Sequence, residues 1–371
     1  MMMMLSVALV AAHLDHAPVG CACSAFLPAY DPSNAAVASL QDAPNSMARD
    51  ANPLEEHLSN VRQMTFGGQN AEAYWDVTGE WITYQARLPG YPDEQIFTMR
   101  ADGSEKKLVS TGLGRCTCSY FDPNGEFIYF SSTHERNEGP QAKVDMSKGY
   151  VWMVNPQFGL YRARRDGTDI QPVIVRRGYV AETTISPDRS YMVFTGSFDG
   201  DLDIYRANLD GTGITRLTDA YGYDGGPFVS WDGKKIVYRR ATIANDQERS
   251  DYKALLKQNL IRPGKLEVWI MDADGKNKRQ VTNLGVASFA PFLLPDGKRI
   301  IFSSNYSDPK GREFDLYTIR TDGTGLKRIT ATPDFDGFPM ITRDGKKLVW
   351  ASNRFGKERG ETNIFVADWK D

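Results

Sequence analysis

Short runs of alternating apolar and polar residues, separated by tight turns, cover most of the chain from residue 60 onward. In residues 178–219 four such runs follow one another, with Pro187 and Asp210-Gly211 in two of the turns between them. Alternation with a period of two is typical of β-strands with one buried face, and Asp-Gly is typical of tight hairpins. The segment therefore predicts a four-stranded antiparallel meander that needs similar units on either side to bury its faces.

The same unit occurs six times along the chain. Its second strand carries an aliphatic residue and, two positions later, an aromatic residue: Ile82/Tyr84, Ile128/Phe130, Met192/Phe194, Ile236/Tyr238, Ile300/Phe302 and Leu348/Trp350. Its third strand carries an adjacent aliphatic–aromatic pair: Ile96-Phe97, Leu160-Tyr161, Ile204-Tyr205, Val268-Trp269, Leu316-Tyr317 and Ile364-Phe365. We expect all of these side chains in the core, because adjacent strand residues point to opposite faces of a sheet covered on both sides.

Five units continue into a fourth strand after an Asp-Gly turn, whereas the sixth reaches Asp371 just past its third strand. Residues 60–65, which precede the first unit, carry the missing pattern. The sequence therefore predicts an all-β fold over residues 59–371. This fold is a six-bladed β-propeller of four-stranded antiparallel blades, with the last blade closed by an N-terminal strand.

The residues before the propeller differ in composition from the repeats. Residues 1–23 contain an apolar run typical of an export signal or anchor segment, without a basic start. Cys21 is a candidate for lipid attachment, and a wrongly assigned start codon or a disordered tail are the alternatives. Residues 24–58 are rich in Ala, Ser, Pro and Asn and predict a linker with one short helix over 52–58. We expect an exported protein, periplasmic or on the cell surface, in which the N-terminal segment is the one candidate for membrane contact, whether it is cleaved, lipidated or retained.

The unit resembles the WD-like repeat of the TolB-type six-bladed β-propellers. The resemblance rests on Phe194, Ile204-Tyr205, Asp210-Gly211 and Leu217-Thr218, and its counterparts extend over about residues 60–369. It implies the propeller fold and a periplasmic interaction module that binds protein partners. Because one fold serves many functions, the repeat predicts the fold far better than it predicts the function.

Two of the six units carry long insertions between their second and third strands, at residues 132–157 and 240–265. In a meander these loops lie on the same face of the ring as the links between blades, so we expect one elaborated face. The second insertion predicts a short helix with Ser250 as its N-cap. The candidate partner contacts are His134, Lys148, Tyr150, Trp152, Tyr252, Lys253 and Leu256. The alternatives are that the insertions cap the central channel or pack on their own blades.

Carboxylates recur where the first strand of a blade begins. Glu72 and Glu182 occupy equivalent positions, and the counterparts are Cys118, Gly226, Ala290 and Phe338. Together with Asp224 and Asp336, the residues Glu72, Cys118 and Glu182 form a candidate channel mouth. Two carboxylates there are able to bind a cation or act as an acid/base pair, and the alternative is that each is a solvated rim residue or hydrogen-bonds a neighbouring blade.

Other polar clusters give weaker signals. Asp199, Asp201 and Asp203 lack the later Gly and Glu of a calcium loop, so they predict a turn. The two C-x-C pairs have no neighbouring ligands that would complete a zinc site, and we expect structural thiols at Cys116 and Cys118.

Few features of the sequence favour catalysis. It has no G-x-S-x-G, no H-E-x-x-H and no phosphate-binding loop, and only His57 and His134 lie beyond the N-terminal tail. The net charge of −3 does not favour nucleic acid as a partner. We therefore expect a non-enzymatic docking scaffold without a cofactor or metal, an extrinsic subunit of a membrane complex being one form of it. The alternative is a ligand- or metal-binding or carbohydrate-active propeller enzyme that uses Glu72 and Glu182.

Overall fold

The computed structural model of the chain describes residues 44–50, 52–145, 147, 149–311, 313–333 and 335–371. Within these ranges the chain forms six blades of four antiparallel strands, and one helix. The predicted all-β, six-bladed propeller is therefore confirmed. The predicted export segment with Cys21, residues 24–43 of the linker and Lys148 lie outside the described residues.

The first two strands of the chain belong to the last blade. They are β1 (Met47–Ala48) and β2 (Leu58–Gln63), and β1 adds a fifth strand to the outer edge of that blade. Blade 1 consists of β3 (Gln69–Trp75), β4 (Trp81–Arg87), β5 (Gln95–Arg100) and β6 (Lys107–Leu108). Blade 2 consists of β7 (Cys116–Phe121), β8 (Phe127–Ser132), β10 (Gly159–Arg164) and β11 (Gln171–Ile174), with β9 (Trp152–Met153) in its insertion. Blade 3 consists of β12 (Val180–Ile185), β13 (Met192–Gly196), β14 (Asp203–Ala207) and β15 (Thr215–Arg216).

The second half of the ring repeats this order, and we call the four strands of a blade a to d from the channel outward. Blade 4 consists of β16 (Asp224–Val229), β17 (Lys235–Ala241), β19 (Leu266–Asp272) and β20 (Arg279–Gln280), with α1 (Asp246–Leu256) and β18 (Leu260–Ile261) in its insertion. Blade 5 consists of β21 (Ser288–Leu293), β22 (Arg299–Ser304), β23 (Asp315–Arg320) and β24 (Lys327–Arg328). Blade 6 consists of β25 (Asp336–Ile341), β26 (Lys347–Ser352), β27 (Asn363–Trp369) and β2.

The aromatic residues of strands b and c lie directly opposite each other in every blade. The six cross-strand pairs are Tyr84–Phe97, Phe130–Tyr161, Phe194–Tyr205, Tyr238–Trp269, Phe302–Tyr317 and Trp350–Phe365. Their ring centroids are 5.6–6.3 Å apart. All of these rings are buried except that of Trp269, which is half-buried. The sequence repeat is therefore a repeat of ring contacts, each stabilising its blade by about 0.5–1.5 kcal/mol beyond the burial of its area.

A buried hydroxyl group fastens strand d to strand c in five blades. The backbone N–H of the aliphatic residue in strand c donates to Ser110, Thr218, Thr282, Thr330 or Thr65 at 2.8–3.0 Å. Thr65 fills this place in blade 6, where it bonds Ile364 across the junction of the two ends of the ring. The predicted closure by an N-terminal strand is confirmed, although the pairing begins at Leu58 instead of residue 60.

The segment before β2 also packs on the ring. Glu55 is buried, and its carboxylate accepts hydrogen bonds from Arg354 at 3.0 and 3.1 Å and from the backbone N–H of Ala331 at 3.0 Å. Arg354 in turn donates to Asp336 at 2.9 and 3.0 Å, which completes a buried ion triad. The predicted short helix over 52–58 is wrong, since these residues form two turns that lead into β2.

The two insertions meet each other on one face of the propeller. β9 from blade 2 and β18 from blade 4 pair as a short antiparallel ribbon, with Trp152 opposite Ile261. The predicted helix is present, but its N-cap is Asn245, whose side chain accepts from the backbone N–H of Glu248 at 2.9 Å. Ser250 lies inside the helix, so it was the wrong cap. The predicted placement of both insertions on one face is confirmed, and we call the joined insertions the strap.

Candidate functional site

The centre of the ring contains a small cavity of ≈ 20 Å³. It is lined by residues of strand a from all six blades and by Arg239 from strand b of blade 4. The lining residues are Glu72, Tyr74, Cys118, Ser119, Glu182, Thr183, Thr184, Gly226, Pro227, Phe228, Arg239, Ala290 and Phe338. This volume is close to what one water molecule needs and far below that of a pocket for a small organic ligand.

A β-bulge repeated in every strand a places these residues around the cavity. Each strand a has one extra residue relative to strand b, and a residue with positive φ lies at the bulge. The six residues, with φ between 49° and 61°, are Glu72, Cys118, Glu182, Gly226, Ala290 and Phe338. They are the same six positions that the repeat aligned, and left-handed φ is uncommon for residues other than Gly. The bulge turns each of these residues toward the axis of the ring. The six positions that the sequence repeat aligned are therefore also equivalent in the structure.

The bulges also join neighbouring blades. The backbone N–H of Cys118 donates to Gln85 Oε1 of blade 1 at 3.1 Å, and that of Phe338 donates to Ser303 Oγ of blade 5 at 3.1 Å. The N–H of Gly226 donates to Glu182 Oε2 of blade 3 at 2.8 Å. A donor that the bulge removes from its own sheet is thus paired with the preceding blade.

Glu182 is held by four groups inside this site. Thr195 Oγ1 donates to it at 2.6 Å and Tyr223 OH at 3.1 Å, in addition to the N–H of Gly226. Arg239 forms a buried ion pair with it through Nη2. A carboxylate with its lone pairs committed in this way is poorly placed to serve as a catalytic acid or base.

Burial and charge act in opposite directions on the partners of Glu182. Burial raises the pKa of Tyr223 well above its ordinary value, although Arg239 opposes the shift. Burial alone lowers the pKa of Arg239, but the nearby carboxylates, Glu182 first and Glu72 further away, raise it well above its ordinary value. Arg239 therefore stays charged, and the site contains a guanidinium that the sequence interpretation missed.

The signal for Arg239 was present in the alignment of the repeats. The residue that follows the aromatic of strand b is Gln85, Ser131, Thr195, Arg239, Ser303 or Ala351 in the six blades. Arg239 is the charged member of this series, opposite Gly225 in strand a. Its guanidinium packs so close to Gly226 that a Cβ there would lie 2.2 Å from Nη1, which explains the Gly at that bulge.

Aromatic residues close the channel on both sides of the cavity. Toward the strap, Trp152 lies over the Arg239 guanidinium at 5.4 Å and packs edge-on against Tyr223 and Phe289. On the other side, Tyr74 contacts Phe228 at 5.1 Å, and Phe228 contacts Phe292 at 5.6 Å. The alternative that the insertions cap the channel therefore agrees with the position of Trp152.

The other two predicted channel-mouth carboxylates, Asp224 and Asp336, do not line the cavity. Both are fully buried at the start of strand a and are paired with an arginine, which lies in strand b of blade 4 for Asp224 and just after strand b of blade 6 for Asp336. Asp224 accepts from Arg240 at 2.6 and 2.7 Å, and burial raises its pKa despite this pair. Asp336 belongs to the triad with Arg354 and Glu55. The geometry separates Asp224 and Asp336 from Glu72 and Glu182, because each has its own cation.

The predicted partner contacts differ in how far they reach solvent. Lys253 is exposed, whereas His134, Tyr150, Trp152 and Leu256 are half-buried and Tyr252 is buried. Tyr252 donates to Asp201, which anchors α1 to blade 3. His134 bonds Ser132 and contacts Tyr161, and burial lowers its pKa. Of these described residues, Lys253 is therefore the one that presents a fully accessible side chain.

Sequence reasoning missed the exposed apolar residues of the strap-bearing face. Leu113, Val175 and Tyr221 lie in links between blades, and Tyr306 and Phe355 lie in b–c loops. These are 37–50% exposed. The other exposed large apolar residues of the described chain, Met47 and Leu54, precede β2. The tight turns of the opposite face carry none among the described residues, so the two faces differ in apolar exposure. The sequence contained this signal, because these apolar residues lie in the links and b–c loops that the repeat had already assigned to one face.

The remaining polar candidates have structural partners. Cys116 and Cys118 are buried thiols that form no disulfide bond, and burial raises the pKa of Cys116 to about 12. Asp199 accepts from Tyr205, and Asp203 pairs with Arg216. Among the described residues, no three His, Cys, Asp or Glu side chains are arranged to hold a metal ion. No helix in the described ranges has the length and hydropathy needed to cross a membrane.

Two solved structures share this architecture. A candidate TolB of Agrobacterium tumefaciens superposes with a TM-score of 0.53 and 17% identity, covering 82% of this chain and 91% of its own. TolB of Acinetobacter baumannii gives a TM-score of 0.53 and 17% identity, covering 83% of this chain and 66% of its own. This chain has a TolB-like propeller fold. The resemblance that the repeat predicted is thereby confirmed at the level of the fold.

Sequence comparison adds two relatives, each of which matches over part of its length. A TolB homolog of Chlorobium luteolum is 28% identical over 171 residues, which are 46% of this chain and 34% of the relative. An uncharacterised protein of Agrobacterium fabrum is 27% identical over 148 residues, 39% of this chain and 44% of the relative. The chain thus spans less than half the length of these curated relatives. No protein-family model matches it.

Proposed function

We propose that the chain is a non-enzymatic, extracytoplasmic docking scaffold that binds a protein partner through the strap-bearing face. The observation that carries this proposal is the asymmetry of the two faces. The exposed large apolar side chains of the ring and both insertions lie on one face, and tight polar turns form the other. Aromatic residues are enriched in protein interfaces, and Tyr221, Tyr306 and Phe355 are exposed on this face alone among the described residues of the ring.

The centre of the ring gives little support to the alternative of a carbohydrate-active or ligand-binding enzyme. The cavity of ≈ 20 Å³ is far too small for a sugar ring, and Glu182 is committed to an ion pair. A docking role needs neither an open channel nor a free carboxylate. It needs a rigid ring that holds loops in fixed positions, which the buried aromatic pairs of each blade provide.

The resemblance to TolB proteins supports a periplasmic location and a protein partner. We infer that the partner is a membrane-associated complex. Residues 1–23 would attach the chain to the membrane or to the partner, and any membrane contact would be made through that segment alone. No cofactor, metal or nucleic acid takes part in this proposal.

Site-specific photo-crosslinking in cells that express the protein tests which face of the ring binds the partner. A benzoylphenylalanine at Tyr306 on the strap-bearing face is compared with one at Arg343, an exposed residue of an a–b turn on the opposite face. We expect a discrete crosslinked protein from position 306 alone. Crosslinking from position 343 alone, or equally from both positions, would contradict the assignment of the docking face.

A further inference from the structure

The central cavity contains two buried polar atoms that lack a hydrogen-bond partner. They are Arg239 Nε and Thr183 Oγ1, and both belong to residues that line the cavity. The side chain of Arg239 is 8% exposed and Thr183 is 2% exposed. A buried donor or acceptor without a partner costs about 1–3 kcal/mol, so two of them among the residues that line one cavity need an explanation.

The dimensions of the cavity restrict what could satisfy them. Its volume of ≈ 20 Å³ exceeds the roughly 10–15 Å³ that a single water requires and is too small for an organic ligand. A buried water needs about two to four polar partners. Arg239 Nε offers a donor and the Thr183 hydroxyl offers both a donor and an acceptor. Ser119 and the carboxylates of Glu72 and Glu182 also line the cavity.

The charges of the lining residues argue against an anion. Glu72 and Glu182 face a single guanidinium, so a halide beside Arg239 would lie close to two carboxylates. A metal cation has too few ligands, because the described residues contain no group of three suitable side chains. A cation would also lie against the Arg239 guanidinium.

We propose that the cavity is a binding site for one water molecule, held at the ring axis by Arg239 Nε and the Thr183 hydroxyl. Trp152 lies over Arg239 on the strap side of the site, and Tyr74 and Phe228 pack against each other on the other side. The water is therefore an internal part of the ring. Its exchange with solvent requires the strap or the aromatic residues to move.

Crystal structures at high resolution test the site directly. We expect one solvent peak within about 2.7–3.2 Å of both Arg239 Nε and Thr183 Oγ1. This peak should show no anomalous signal after crystals are soaked in rubidium or bromide salts. An anomalous signal from rubidium or bromide at this position would show that the site binds an ion, which would overturn the proposal. The absence of any solvent peak at high resolution would overturn it as well.

The number of internal water molecules can also be measured in solution, with a matched pair of variants. Water-oxygen magnetic relaxation dispersion counts long-lived internal waters in the intact protein. Thr183→Val removes one partner and should lower that count by one or shorten the residence time at least tenfold. Thr98→Val makes the same change at a fully buried threonine of strand c in blade 1, which does not line the cavity, and should leave the count unchanged. Equal counts in wild type and Thr183→Val would overturn the proposal.

Discussion

Trp152, in the insertion of blade 2, packs edge-on against Phe289 of blade 5, with ring centroids 6.1 Å apart. The contact crosses the centre of the ring, because Phe289 precedes the bulge of strand a in blade 5. The insertion is therefore not an appendage of its own blade. It connects three blades through contacts with Tyr223, Arg239 and Phe289.

Replacing Trp152 tests how far the strap depends on this contact. We expect Trp152→Ala to lower the free energy of unfolding by about 1–3 kcal/mol, less than for a fully buried tryptophan because the side chain is half-buried. Urea titration followed by far-ultraviolet circular dichroism measures the change. Tyr306→Ala, an exposed aromatic of a b–c loop, is the control and should alter the value by less than about 0.5 kcal/mol. Equal effects of the two changes would show that the strap is not fixed by Trp152.

Removing Arg239 leaves the buried carboxylate of Glu182 without its cation. We expect Arg239→Met to destabilise the protein by about 3–5 kcal/mol, the usual cost of breaking one side of a buried ion pair. The double variant Arg239→Met with Glu182→Gln should recover at least about 1 kcal/mol of this loss, since the second change removes the unpaired charge. Chemical denaturation of the four members of the cycle gives the coupling energy. A double variant less stable than Arg239→Met alone would contradict the pairing.

Glu55 and its neighbour Glu56 form a matched pair for testing the N-terminal contact. Glu55→Gln disrupts the buried triad with Arg354, and we expect a loss of about 2–4 kcal/mol. Hydrogen exchange should increase first in residues 44–63. Glu56→Gln changes an exposed carboxylate 3.8 Å from Lys327 and should cost less than about 0.5 kcal/mol. Unchanged exchange in β1 and β2 of Glu55→Gln would argue against the triad as their anchor.

The buried Asp203 predicts a dependence of stability on pH. Burial raises the pKa of Asp203 to about 7, although its partner Arg216 opposes the shift. In the unfolded chain this carboxyl titrates near pH 4. Between those values the folded state binds more protons, so the contribution of Asp203 to the free energy of unfolding falls as the pH rises from about 4 to about 7.

Asp203→Asn should therefore reduce the fall in stability over that range. Thermal unfolding at half-unit steps from pH 4 to pH 8 measures the slope. Asp210→Asn, in an exposed c–d turn, is the control, because hydrogen bonds from Thr212 lower the pKa of Asp210 instead. The same slope in wild type and Asp203→Asn would contradict a proton bound to Asp203 in the folded state.

The sequence predicted the ring because its core is a periodic pattern. The pairs such as Tyr84 and Phe97 repeat in position and in type, so alignment of the six units was enough to find every blade. The closing strand was predicted because only five of the six repeats contain a fourth strand. In the structure this strand begins at Leu58 instead of residue 60. The added edge strand β1 has two residues and no pattern of its own.

The candidate site was less accessible to sequence reasoning because it depends on contacts between blades. Glu182 was found because it occupies the same position in its repeat as Glu72. Its role, however, depends on the ion pair with Arg239, which belongs to the next blade and to a different position of the repeat. Trp152 reaches the centre from an insertion that has no repeat to align. Local preferences also failed at Ser250, since the better-placed Asn245 caps the helix.

The pairing of β2 with β27 carries a consequence for how the protein reaches its native state. Asn60 and Asp368 bond across this junction although 308 positions separate them in the chain. Contacts so remote in sequence form late and slowly, since closing a long loop costs entropy before any bond rewards it. Until then β27 lacks its outer partner, and an unpaired strand edge favours aggregation. The joining of β2 to β27 is therefore the step of maturation at which the chain is most exposed to misassembly.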